Sequence, residues 1–126
     1  MNFPDNIKYT KDHEWIRVEN GEGFIGITEY AQGELGDIVF VELPKVGAQI
    51  QKGQSFGTVE AVKAVSDLYA PVSGTVKDVN KTISDSPDVV NKDPYGEGWM
   101  LKITVDNLQE LDSLLGAESY KKLVAQ

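Results

Sequence analysis

Phe56-Gly57-Thr58-Val59-Glu60-Ala61-Val62-Lys63-Ala64-Val65-Ser66-Asp67-Leu68-Tyr69-Ala70-Pro71-Val72-Ser73-Gly74 holds a lysine midway between two glycines, with β-branched and small residues on both sides. Alternating runs of this kind read as two strands, Ser55 to Val62 and Ala64 to Tyr69, meeting at a turn near Lys63. A tight turn puts the lysine at a hairpin tip. There its four methylenes hold the ammonium clear of the body, where it is a poor partner for a structural ion pair and open to a modifying enzyme. Acylation of such an amine would remove its charge and root a long arm. A solvated turn lysine without function fits the same residues.

Outward from this segment the chain keeps a β rhythm. Gly36-Asp37-Ile38-Val39-Phe40-Val41 with Ile50-Gln51-Lys52 resembles Gly74-Thr75-Val76-Lys77-Asp78-Val79 with Val90-Asn91-Lys92, so the halves flanking the lysine read as copies. Two such copies bury their apolar faces by stacking as paired sheets about a pseudo-twofold axis. Further strands are expected at Tyr9 to Val18, Phe24 to Ile27, Asp37 to Leu43, Gln49 to Gln51, Gly74 to Val79 and Trp99 to Val105, with turn material at Asn20-Gly21-Glu22-Gly23. Thr28 caps a short helix that ends near Gly33 or Gly36. From Asn107 the apolar period becomes helical, through Leu108, Leu111, Leu114 and Leu115, and Asn107 with Glu110 is spaced as a capping box. Gly116 breaks this run, and Tyr120, Leu123 and Val124 form the apolar stripe of a second helix. The whole reads as one mainly β domain over residues 1–126, with 106–126 a helical tail on the β core.

Composition narrows the function. The 126 residues suit a single domain with a real core. A formal charge of −8 opposes binding to nucleic acid or an anionic membrane and suits docking onto basic protein surfaces, although plain solubility explains it equally well. No apolar run approaches the ~20 residues of a membrane-spanning helix, and no signal or transit peptide is visible, so a cytoplasmic setting is expected, with a mature mitochondrial chain matching as well. The absence of cysteine excludes disulfides and thiolate chemistry, and a single histidine, His13, comes without a sequence-adjacent triad or metal-ligand cluster. A stand-alone enzyme is therefore disfavoured. A plain β interaction module accounts for the strands and the acidity but leaves the lysine hairpin and the paired halves without a cause.

The stretch from Gly57 to Ala64, followed by Pro71-Val72-Ser73-Gly74-Thr75-Val76, resembles the attachment segment of the biotinyl and lipoyl carrier family. Within it the chain is most similar to the H-protein family of the glycine cleavage system. The likeness runs through His13-Glu14-Trp15, Gly26-Ile27-Thr28, Ala31-Gln32, Leu35-Gly36, Val39 to Pro44, Pro94-Tyr95, Gly98-Trp99-Met100, Leu114-Leu115-Gly116 and Tyr120. Biotin carriers place methionines beside the lysine, whereas Val62 and Ala64 stand here; lipoyl domains of 2-oxoacid dehydrogenases usually have aspartate at the position of Val62. Ala61 replaces a usual serine, and Glu34 stands where some members have histidine, which leaves its role open.

The resemblance implies a barrel-sandwich hybrid, a flattened sandwich of two four-stranded sheets. It implies lipoate held as N6-lipoyllysine on Lys63 by a lipoate ligase or lipoyl transferase, on a non-catalytic carrier; a compact acidic domain of this kind is by default expected to be a monomer. Its implied partners are the glycine decarboxylase (P protein), the aminomethyltransferase (T protein) and the dihydrolipoyl dehydrogenase (L protein). Glu14 and Asp67 are the candidates for a cleft that accepts a hydrogen bond from the cargo amine, and the same residues read equally as ordinary exposed acids. Glu60 either helps present Lys63 to the ligase or solvates the hairpin. His13 is expected to be structural or to dock a partner, and Trp15 and Trp99 to be core.

Overall fold

Asn20 and Gly21, with φ of 54° and 78°, form the two-residue turn that joins β2 (Glu14–Glu19) to β3 (Glu22–Ile27). The computed structural model, described over residues 1–125, builds outward from this hairpin. The six-stranded antiparallel sheet runs β1-β2-β3-β9-β8-β5, where β1 is Lys8–Tyr9, β5 Gln49–Ile50, β8 Gly74–Val79 and β9 Leu101–Val105. A three-stranded antiparallel sheet, β4-β6-β7, is formed by Ile38–Glu42, Ser55–Ala61 and Val65–Tyr69. The two sheets enclose one apolar core that includes Ile16, Ile25, Val41, Val59, Leu68, Val76 and Ile103. This is the expected mainly β sandwich, although its strands divide six and three rather than four and four. The short strands β1 and β5 both extend the larger sheet, while β4 stops at Glu42, just before Pro44, which has no N–H to donate to a ladder.

The two strand copies lie in different sheets: β4 in the smaller and β8 in the larger. The trailing pieces differ, since Ile50 is in β5 whereas Val90 is in a helical turn, yet both side chains are buried in the same core. The expected strand from Tyr9 to Val18 is interrupted at residues 10–13. Thr10 Oγ1 accepts from the backbone N–H groups of Asp12 and Glu14, and His13 takes a left-handed φ of 72°. Side-chain hydrogen bonds that stay this local compete with a sheet ladder, and here they win.

Thr28 caps α1 (Glu29–Leu35) by accepting from Ala31 N, and the helix ends at Gly36, whose φ is 82°. Two short helices were not legible in the sequence: α2 (Lys81–Asp85), capped by Asn80, and α3 (Val89–Lys92). Neither is long enough to show a period. The capping box expected at Asn107 does not close. Asn107 Oδ1 accepts from Gln109 N, but the Glu110 carboxylate reaches away to Ser73 N at 2.8 Å, and residues Leu108–Ser113 wind as a 3-10 helix. Beyond Gly116, α4 (Ala117–Val124) sets Tyr120 fully buried against Tyr9, with rings stacked 4.5 Å apart. Reciprocal backbone bonds between Tyr9 and Leu115 at 2.8 Å join this segment to β1. No helix among the described residues is long and apolar enough to cross a membrane.

Candidate functional site: the lysine hairpin and the cleft of Glu14

β6 and β7 are joined by a tight loop with Val62 and Lys63 at its tip, and Ala61 N donates to Ala64 O at 2.8 Å to close it. Val62 N donates to Asp37 O at 3.0 Å, which ties the tip to the start of β4. Lys63 is exposed and takes part in no ion pair among the described residues. Its stem does not wave free of the body as the sequence suggested. A Cβ added at Gly36 would lie 3.4 Å from both Lys63 Cδ and Cε, so the methylenes rest on the bare backbone of that glycine.

The platform under the lysine is fastened by Asn91, a residue that sequence reasoning noticed only as part of a repeat. Its Oδ1 accepts from Ile38 N at 2.9 Å, and its Nδ2 donates to Gly36 O at 2.9 Å and to Gln32 Oε1 at 2.8 Å. One amide thus joins α1, β4 and α3. Asn91→Ala strands the Ile38 N–H and the Gly36 carbonyl, and is expected to cost about 1–3 kcal/mol in urea unfolding.

Glu60 and Asp67 stand on the outer face of the smaller sheet. The register sets Phe40 beside Glu60 and Glu60 beside Val65, with Glu42, Thr58 and Asp67 in the next cross-strand row. Both acids are exposed, next to apolar side chains that remain in solvent: Val62 is 72% exposed, Val65 67% and Phe40 50%. Acids and exposed apolar side chains thus share the surface around the lysine, and neither acid lines the cleft of Glu14.

Glu14 is placed quite differently. It is only 2% exposed, and it lines a cleft of about 370 Å³ with Thr10, Lys11, Asp12, Lys52, Tyr69 and Leu115 among its walls. Thr10 Oγ1 donates to its Oε1 at 2.7 Å, and Tyr69 N donates to its Oε2 at 3.1 Å. Burial pushes the carboxyl up to about 7, against the pull of those two hydrogen bonds. Asp67 is not among the residues lining this cleft, but it shares the outward side of β7 with Tyr69, which is. Asp67 lies two residues short of Tyr69 on β7, between the lysine turn and the cleft. β7 thus leads from Lys63 to Glu14, six residues and roughly 20 Å of strand.

His13 faces inward. Its Nδ1 lies 2.8 Å from the Tyr120 hydroxyl, which lies 2.7 Å from Thr28 Oγ1, and burial lowers the pKa of the ring. This chain fixes α4 to the turn that carries Glu14, a structural role. Trp15 is fully buried and donates to the carbonyls of Ile27 and Pro94, both at 3.0 Å; Trp99 is only partly buried, edge-on to Phe24.

The family model for the glycine cleavage H-protein matches residues 7–126. The chain belongs to that family. It is 57% identical over 123 residues to the glycine cleavage system H protein of Carboxydothermus hydrogenoformans, covering 98% of this chain and 95% of that one. With the protein of the same description from Bacteroides fragilis it shares 53% over 124 residues, 98% of each. The crystal structure of a glycine cleavage system H protein from Mycobacterium marinum superposes with a TM-score of 0.91 at 40% identity, covering 98% of this chain and 99% of that one. As an H-protein family member with bacterial relatives, this chain is the lipoyl-carrying shuttle component of the glycine cleavage system.

Proposed function

We propose that Lys63 is the attachment point of the lipoyl group, as N6-lipoyllysine, and that the chain is a non-catalytic carrier acting as one domain over residues 1–126. The observation that carries this reading is the lysine itself: exposed, unpaired among the described residues, and at the tip of a tight hairpin loop. The residues present fit the group, because Gly36 has no side chain to crowd the Lys63 stem and the residues on either side of the lysine, Val62 and Ala64, are exposed. When bound on Lys63, lipoate would supply the disulfide and dithiol chemistry needed to carry an aminomethyl group.

The protein's own residues orient and shelter that arm. Glu60, three residues before the lysine and on the accessible outer face, helps present Lys63 to a lipoate ligase or lipoyl transferase. Asp67 supports the arm along β7. Glu14 accepts a hydrogen bond from the cargo amine inside the cleft, where water is largely excluded and a charge-assisted bond is strong. Tethering raises the effective concentration of the cargo at each docked enzyme, so delivery depends on reach and not on diffusion of a labile amine. The enzymes served are the glycine decarboxylase, the aminomethyltransferase and the dihydrolipoyl dehydrogenase, visited by a monomeric carrier in the bacterial cytoplasm. The acidic surface around the hairpin steers these encounters.

Intact mass tests the attachment. Incubation with lipoate ligase, ATP and lipoate is expected to add one lipoyl group to the parent and none to Lys63→Arg, which keeps the charge but cannot form the amide. Equal incorporation in both proteins would place the arm elsewhere.

A further inference from the structure

The cleft contains one buried acid and no fixed countercharge for it. None of the four ion pairs among the described residues includes Glu14, whose two partners, the Thr10 hydroxyl and the Tyr69 N–H, are neutral. The ammonium of Lys52, another lining residue, is taken up by Ser113 Oγ and the Glu110 carbonyl. Lys11 and Asp12 flank Glu14 on its own turn, Tyr9 and Tyr69 line the walls, Tyr120 and His13 lie behind that turn, and Asp67 stands farther along β7.

A 2%-exposed carboxylate without a cation pays a large desolvation cost, so an empty cleft favours the neutral acid. An entering ammonium supplies the missing charge and reverses that preference.

We propose that the cleft binds a primary ammonium group in exchange for one proton, so that seating the amine ionises Glu14. The balance is simple: the carboxylic acid and R–NH3⁺ become a carboxylate–ammonium pair, and one H⁺ leaves for solvent. No bond other than O–H is broken. This rests on the reading of the cleft as the cargo site and adds to it a stoichiometry. The consequence is discrimination, because an arm with no amine finds an uncharged wall and gains no ion pair, whereas an amine-bearing one gains a buried pair. Retention of cargo then weakens as the pH falls. The upward-shifted titration of Glu14, to about 7, sets the window in which this is felt.

The test uses the unlipoylated protein, labelled with 13C at glutamate carboxyls, and methylammonium as the probe, with sodium chloride at equal ionic strength as the control. The expected result is a Glu14 titration that moves to lower pH in methylammonium but not in sodium chloride. Affinity for the probe should rise roughly tenfold from pH 6 to pH 8, with Glu14→Gln removing that dependence. Methylammonium that perturbs Tyr69 and Leu115 but leaves the Glu14 titration in place would overturn the proton exchange and spare the cleft. No perturbation of the cleft residues by the probe would overturn both the exchange and the cleft as an amine site, while leaving the lysine attachment to its own mass test.

Discussion

Replacing Gly57 by alanine will lower stability by roughly 3 kcal/mol or more and reduce lipoylation of the lysine hairpin with it. Gly57 lies in β6, at the irregularity where the register with β7 shifts between Ser55 and Gly57. A Cβ there would stand 2.2 Å from Glu42 O and 3.3 Å from Glu42 C on β4. That neighbour is backbone, which cannot rotate away as a flexible side chain would. The strands must separate at the point where Glu42 pairs with Thr58, so ladder hydrogen bonds weaken along the edge that holds Val41 and Val59 in the core. Because β6 leads directly into Val62 and Lys63, the tip moves with it. Thermal unfolding, together with the rate of lipoyl incorporation by mass, measures both effects. Gly33→Ala is the control. It sits in α1 with nothing within 4 Å of an added Cβ, so the methyl should stabilise by about 0.5–1 kcal/mol through helix propensity. Equal effects of the two substitutions would refute the close-approach argument.

Glu14→Gln is expected to flatten the pH dependence of stability between pH 4.5 and 7. The folded carboxyl titrates near 7 and the unfolded one near 4.5, so in that interval the folded state holds a proton that the unfolded state has lost. The stabilising contribution of the protonated acid is complete below pH 4.5. It declines as pH rises, and is gone above 7. The parent therefore loses about 3 kcal/mol of this contribution across the window, and the glutamine variant, which does not titrate, loses none of it. Its amide oxygen can accept from Tyr69 N or from the Thr10 hydroxyl but not from both, because Thr10 Oγ1 already accepts from Asp12 N and Glu14 N; that loss is the same at every pH and leaves the comparison of slopes intact. Urea unfolding at pH 5 and pH 8 gives the comparison: the variant should gain on the parent by up to about 3 kcal/mol at the higher pH. Parallel pH profiles would mean that Glu14 is not held neutral by its burial.

The lysine hairpin and the cleft were unequally legible. Val62 and Lys63 are read from adjacent residues, because a tight turn between two alternating runs fixes its own register. Glu14 was found by resemblance, and nothing in the local sequence distinguishes it from the other 19 Asp and Glu residues. Its burial depends on Tyr69, 55 positions away, and on a cleft closed by Leu115 of the tail. Asp67 shows the opposite outcome. Sequence grouped it with Glu14, and it shares the outward face of β7 with the wall residue Tyr69 but lies two residues short of the cleft walls.

The sequence by itself determined the elements whose hydrogen bonds close within a few residues. These include the Asn20-Gly21 turn, the Thr28 cap, the loop at Lys63 and the alternation that made β4, β6 and β8 strands. Tertiary structure alone decided where polar groups with several possible partners would go. Glu110 had the spacing to close a capping box and went instead to Ser73; Asn91 joined α1, β4 and α3; and the Tyr120 hydroxyl came to rest between His13 and Thr28. The reason is that a local bond is formed wherever the chain takes the right backbone angles. Burial and its electrostatic consequences exist only once distant segments have excluded water around the group.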